Sequence, residues 1–272
     1  MEYGFELKRS GDIIYYTIPS FEKTGMVRTC FTGRLGGYSK KPYDSLNMGF
    51  KNGDNAVDVR QNYLKIGNAI GLDVDRMVLG DQVHGDKVRI VVNEDQGKGI
   101  TRSSDIKDID GLITKENKLG IITVYADCVP IFILDTINKV IALAHAGWKG
   151  TVAKIGQKTL LEMTKAFGTK SKNCLAAIGP SIGKCCYEVD DQVIDKFNEN
   201  FTNPEKFVFS KDNGKYMLDL WKANAISLEE MGILQRNITI SNLCTQCNHD
   251  LLFSHRAGNG VTGRMAAIMW LI

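Results

Sequence analysis

Apolar and polar positions along the 272 residues alternate between strand-like and helix-like spacing from end to end. Residues 13–18 and 27–32 are short runs rich in β-branched and aromatic side chains and read as strands. Val59, Tyr63, Ile66 and Ile70 then recur at helical spacing. Asp54 or Asn55 stands ready to cap that helix and Gly71 to end it, so residues 56–70 are expected to be helical. Residues 88–92 are a further strand. The firmest strand signals are central: residues 121–125, 131–134 and 140–144 are almost wholly apolar, as expected of strands buried on both faces. Thr151 is the expected cap of a helix reaching about residue 167, stopped by Gly168, whose first amides would face an anion. Residues 174–178, 238–240 and 265–271 read as strands, and residues 191–201 and 218–231 as helices. No repeat, low-complexity segment or proline-rich linker divides the chain. The expectation is one α+β domain over residues 1–272, with mixed β-sheets flanked by helices.

Composition narrows the function classes. A formal net charge of +3 is small for this length and argues against a basic nucleic-acid surface. No apolar run approaches the ~20 residues that span a bilayer. The first nine residues lack the apolar centre of a secretory leader. Seven cysteines, an odd number with two adjacent, suit reduced thiols better than a secreted disulfide framework. A cytoplasmic protein with no nucleic-acid or membrane partner, monomeric or weakly dimeric, is expected.

Three segments carry the candidate chemistry: Asp81-Gln82-Val83-His84-Gly85, Ala126-Asp127-Cys128-Val129-Pro130 and Ala144-His145-Ala146-Gly147-Trp148. Each offers one soft metal ligand, and two of the chain's four histidines are among them. Two imidazoles and a thiolate suit zinc. Three protein ligands leave a position for water or substrate, as catalytic zinc sites do, whereas structural sites close with four. Two of the ligands follow predicted buried strands, which gives rigid placement and an open rim. Asp127, beside the cysteine, is expected to support the site, and Gln82 to face the same cavity if its segment is extended.

Those segments, with Phe31-Thr32-Gly33-Arg34-Leu35-Gly36-Gly37, Ser45-Leu46-Asn47-Met48-Gly49, Gly179 to Val189 and Phe253-Ser254-His255-Arg256, resemble the YfiH/YlmD-type proteins. These were formerly labelled laccase-domain or polyphenol oxidase proteins and have been reassigned as purine nucleoside phosphorylases. The blocks run in family order from about residue 28, with Met48 where leucine is usual. The resemblance implies zinc on His84, Cys128 and His145. It implies phosphorolysis of adenosine, inosine, guanosine or methylthioadenosine by inorganic phosphate, giving free base and ribose 1-phosphate or its methylthio analogue. Phosphorolysis needs cationic and backbone donors for phosphate and a donor for the leaving purine nitrogen. Arg34, in its glycine-flanked loop, is the expected phosphate ligand, and Asn47 a substrate hydrogen-bonding residue. Arg256 and Arg264 are weaker anion candidates, and His255 a candidate general acid.

Other chemistries fit parts of the pattern. An activated water would add adenosine deamination, although the usual deaminase signature of H-x-E with P-C-x-x-C is absent. A His2Cys set also suits a single copper, but a multicopper laccase needs roughly ten histidines. Cys128 with a nearby histidine would suit a cysteine hydrolase, in competition with metal for the same thiolate. Cys244 and Cys247 form a CxxC pair and Cys185-Cys186 lies upstream. Adjacent cysteines are poor partners in a zinc ribbon, so a metal there is not the expectation.

Overall fold

Two six-stranded mixed sheets packed face to face, with helices on both outer faces, build the protein. The computed structural model describes residues 4–212 and 214–272. The first sheet runs, in spatial order, β1 (Glu6–Ser10), β2 (Ile13–Thr17), β3 (Val27–Thr32), β15 (Met265–Leu271), β7 (Gly120–Tyr125) and β4 (Met77–Leu79). The second runs β14 (Ile238–Ile240), β10 (Cys174–Ile178), β8 (Val129–Asp135), β9 (Val140–Ala146), β6 (Gly111–Thr114) and β5 (Val88–Ile90). Most neighbours are antiparallel; β4 joins β7, β5 joins β6 and β14 joins β10 in parallel. A small antiparallel sheet of β11 (Glu188–Val189), β13 (Tyr216–Leu218) and β12 (Val208–Ser210) stands apart.

Side-chain alternation along each strand explains the layers. Ile121 and Tyr125 of β7 enter the layer between the sheets, together with Phe132 and Leu134 of β8, Ile141 and Leu143 of β9, and Met265, Ala267 and Met269 of β15. The intervening residues face outward. Ile122, Ala266 and Ile268 meet Val59, Tyr63 and Ile66 of α2 (Ala56–Ile70). Ile131, Ile133, Ala142 and Ala144 meet α4 (Ile155–Phe167) and α6 (Leu220–Glu230). Because both faces are covered, these strands read as continuous apolar runs. Among the described residues there are three more α-helices: α1 (Pro19–Glu22), α3 (Trp148–Val152) and α5 (Asp191–Asn200).

Several boundaries fall where the local chemistry set them. Asn55 accepts the Val57 amide and caps α2, and Gly71 ends it in the left-handed conformation. The expected helix from Thr151 is two helices instead. Thr151 lies inside α3, and Lys154, with φ of 56°, breaks the path before α4. No glycine or proline announces that break. The polar edge strand β1, strands β4 and β6 and the small sheet lie outside the sequence expectation. Among the described residues no helix is long and apolar enough to cross a membrane.

Candidate metal centre and cavity

Two connections pass from the first sheet to the second, and each carries a ligand. Residues 126–128 join β7 to β8 and hold Cys128; the longer connection from β4 to β5 holds His84. His145 is the next-to-last residue of β9. Its alternation with Ile141 and Leu143 turns it into the layer between the sheets, with its ring centroid 5.3 Å from that of Tyr125. The three ligand atoms of His84, Cys128 and His145 lie within 4.8 Å of one another. The two imidazoles meet edge to face, centroids 4.8 Å apart. His145 is buried and His84 exposed, so the group is anchored on one side and open on the other.

Asp110, which belongs to none of the sequence blocks, organises this group. Its wholly buried carboxylate accepts from His145 Nδ1 at 2.8 Å. It also accepts the backbone amides of Val83, His84 and Gly85 at 3.1, 3.0 and 2.8 Å. One carboxylate therefore orients one ligand ring and holds the loop of a second ligand. A proton kept on His145 Nδ1 leaves Nε2 as the donor atom, the usual support of a metal-bound histidine. The only signal available in sequence was general: a buried imidazole ligand needs an acceptor behind it.

Electrostatics favour an ionised sulfur. Burial alone would push the Cys128 thiol up, but the neighbouring His145 and His84 outweigh it and hold the thiol down at about 6. Burial would likewise lower His145, yet Cys128 and Asp110 raise it to about 9. The Asp110 carboxyl stays below its ordinary range against its burial, through His145 and the amides of Gly85 and Val83. Sulfur and two imidazoles converge on one point. A thiolate nucleophile needs only one imidazole, whereas three converging donors suit a shared soft cation. Gly147 permits the approach: a Cβ there would stand 3.0 Å from Cys128 Sγ and 3.2 Å from His84 Cδ2.

The centre opens into a cavity of about 740 Å³, the size of a small-molecule site. His84, Cys128, His145, Asp127 and Gln82 all line it, with the aromatic rings of Phe50, Trp148 and Tyr187. Gln82 reaches the lining, but its amide is engaged with the Val124 backbone, donating at 2.9 Å and accepting at 2.6 Å. Asp127, with φ of 81°, accepts from Thr245 Oγ1 at 2.6 Å and from the Arg256 amide at 2.7 Å. It thus braces the chain beside Cys128 rather than a histidine ligand.

Arg34 and Asn47 are placed differently from the expectation, since neither lines the cavity. The Arg34 guanidinium donates to the carbonyls of Asp44 and His249 and lies 4.8 Å over the Phe253 ring, so it locks its own loop. Asn47 is fully buried; it donates to Gly49 O and Asp54 and accepts the amides of Gly49 and Arg264. Arg264 is among the cations lining the cavity, with Lys51, Lys107, Lys149 and Arg256. Its Nη1 donates to the carbonyls of Thr262 and Gly263, and among the described residues its Nε and Nη2 have no protein partner. Arg256 and the exposed His255 stand at the rim.

The fold and centre define a layered α+β protein with three converging donors, suited to a soft metal, lining a ligand-sized cavity. A family model described as multi-copper polyphenol oxidoreductase laccase matches residues 28–272. A Bacillus subtilis protein named purine nucleoside phosphorylase YlmD is 36% identical over 240 residues, covering 88% of this chain and 86% of its own. The Geobacillus stearothermophilus protein of that name is 37% identical over 241 residues, covering 88% of each chain. A crystal structure of Bacillus licheniformis hypothetical protein YfiH superposes with a TM-score of 0.92 at 34% identity, covering 98% of this chain and 99% of that one. This chain belongs to that YfiH/YlmD-type purine nucleoside phosphorylase family. Four histidines cannot furnish the multicopper centre of that description, although a His2Cys set suits a single copper.

Proposed function

We propose that the chain is a purine nucleoside phosphorylase with zinc held by His84, Cys128 and His145. It would act on adenosine, inosine, guanosine or methylthioadenosine with inorganic phosphate. The observation that carries the reading is the convergence of those three donors, braced by Asp110, on the mouth of a cavity lined by an arginine with free donor groups. The names of the relatives support the reaction class. The donor set fits zinc: soft thiolate and two imidazoles, one of them fixed by a carboxylate. When bound, zinc supplies Lewis-acid polarisation at its open position.

The chain's own groups then divide the remaining work. Arg264 holds phosphate through Nε and Nη2, while Asn47 fixes its backbone from below. Phe50 lies parallel to Tyr63, centroids 5.6 Å apart, and offers an apolar aromatic surface for a purine. Phosphate attacks C1′ as the bond to the base breaks. The base leaves with the electron pair and takes a proton at nitrogen, for which His255 at the rim is the candidate donor. Arg34 acts at a distance by securing its loop.

Product chromatography of adenosine incubated with and without phosphate tests this. Phosphate-dependent adenine and ribose 1-phosphate support phosphorolysis. Inosine formed without phosphate would mean hydrolytic deamination instead. Turnover that survives complete metal removal would favour Cys128 as a hydrolase nucleophile, and a coloured copper protein without nucleoside turnover would favour oxidation.

A further inference from the structure

The four cysteines outside the first centre and the deep core come together in space. The Sγ atoms of Cys185, Cys186, Cys244 and Cys247 all lie within 4.8 Å of one another. Cys247 Sγ is 3.5 Å from Cys185 Sγ and 3.4 Å from Cys186 Sγ, and all four are free thiols. Four thiolates on a tetrahedral zinc, with Zn–S of about 2.3 Å, stand about 3.8 Å apart. The two Cys247 distances are within a few tenths of an ångström of that spacing, and the whole group lies within 4.8 Å.

The backbone explains how adjacent cysteines achieve this. The amides of Cys186 and Tyr187 both bond to Gly183 O, curling residues 183–187 into a tight turn. That curl brings the neighbouring sulfurs to one side, so the objection to an adjacent pair falls. Residues 244–247 form the opposing turn, closed by the Asn248 amide and side chain on Cys244 O. The two turns are fastened by Ser181 and Thr245: the Ser181 amide bonds to Leu243 O and the Thr245 amide to Ser181 O. The Gly183 amide donates to Cys244 Sγ at 3.3 Å, an N–H···S bond suited to an anionic sulfur. Four converging sulfurs, no histidine and no carboxylate are the donor set of a closed structural site.

We infer that Cys185, Cys186, Cys244 and Cys247 hold a second thiophilic divalent metal, zinc by preference, in a structural all-sulfur site. Binding converts up to four thiols to thiolates and releases their protons to solvent, with no change of oxidation state. The site's place in the fold gives it a purpose. Ile182, just before the first turn, and Tyr187, at its end, line the cavity, and Thr245, inside the CxxC turn, holds Asp127 beside Cys128. The second metal therefore clamps a cavity wall to the segment that carries a ligand of the first. This inference does not depend on the proposed reaction.

Metal counting tests it. The full chain, produced with zinc and kept reduced, should hold two zinc ions per chain by elemental analysis. The His84→Ala/His145→Ala variant should keep one. Replaced by cobalt, that remaining ion should show intense sulfur-to-metal charge-transfer absorption with tetrahedral ligand-field bands. The Cys185→Ser/Cys247→Ser variant should keep only the ion of the first centre. One zinc per wild-type chain, with Cys185, Cys186, Cys244 and Cys247 all promptly alkylated, would overturn the inference without any variant having to fold. So would a cobalt spectrum with nitrogen or oxygen ligands in the double-histidine variant.

Discussion

The two ligand groups sit within one molecule yet are built on opposite plans. The His2Cys group hangs from the ends of rigid strands and from connections that cross between the sheets, and it opens on the cavity. The four-cysteine group is assembled by two surface turns fastened by backbone hydrogen bonds. Three donors with an open face suit chemistry; four sulfurs with none to spare suit bracing. The contrast teaches where each kind of site gains its precision. In the first, the sheets place the ligands and a buried carboxylate orients them. In the second, the ligands themselves close the structure.

The sharpest break of this contrast is Cys128→Ala. It should empty the first centre while leaving a sulfur-bound ion in the second, and reduce phosphorolysis by about 10³-fold or more, as expected when Lewis-acid assistance worth several kcal/mol is lost. Elemental analysis beside the rate measurement checks both halves. Full turnover would contradict the assignment of Cys128.

Next in size is Arg264→Ala. Loss of a charge-assisted hydrogen-bonding group should raise the KM for phosphate by roughly 10- to 100-fold. The backbone bond to Asn47 survives, and both metal counts should stay as in wild type. The comparison variant is Arg34→Ala, whose guanidinium serves its own loop. That change should cost about 2 kcal/mol in denaturant unfolding and leave the KM for phosphate unaltered. The reverse pattern would return phosphate binding to Arg34.

Asp110→Asn bears on the first centre alone. With a neutral amide behind His145, metal affinity there should fall by roughly 10- to 100-fold. Competition with a chromophoric chelator would measure it, and the second ion should be untouched. Equal weakening of both ions would mean that Asp110 supports the fold as a whole.

How much of this could be read beforehand follows the same division. Two of the three donors of the first centre, Cys128 and His145, adjoin long apolar strands, so pattern and motif point to them together. Residues 27–32, 56–70 and 265–271 form the expected elements because strand-favouring and apolar side chains, an asparagine cap and a terminal glycine all act locally. Asp110 escaped notice because its partners are 25 to 35 residues away in sequence. Arg34 lies off the cavity for a related reason: a glycine-flanked loop suits an anion, but its neighbours in space are backbone carbonyls from residues 44 and 249. The four-cysteine group was hidden most deeply. Spacing argues against it, and it takes the pairing of residue 181 with 243 and 245, and the Gly183 amide on Cys244 Sγ, to bring the two turns together.

The smallest expected effects come from a matched pair of glycines, one pressed against each centre. A Cβ on Gly147 would stand 3.0 Å from Cys128 Sγ, and one on Gly183 would stand 3.2 Å from Cys244 Cβ and 3.3 Å from Cys185 Sγ. Each methyl group demands a shift of a few tenths of an ångström. The cost is about 1 kcal/mol, or roughly fivefold in the affinity of the nearer metal. Gly147→Ala should therefore loosen the first ion and slow turnover while the all-sulfur cobalt spectrum stays unchanged. Gly183→Ala also meets Trp221 at 2.9 Å, so it should loosen the second ion and lower the melting temperature, with the first ion retained. Crossed effects, each alanine releasing the other centre's ion, would mean that the segment joining Thr245, Asp127 and Cys128 couples the two sites into one unit.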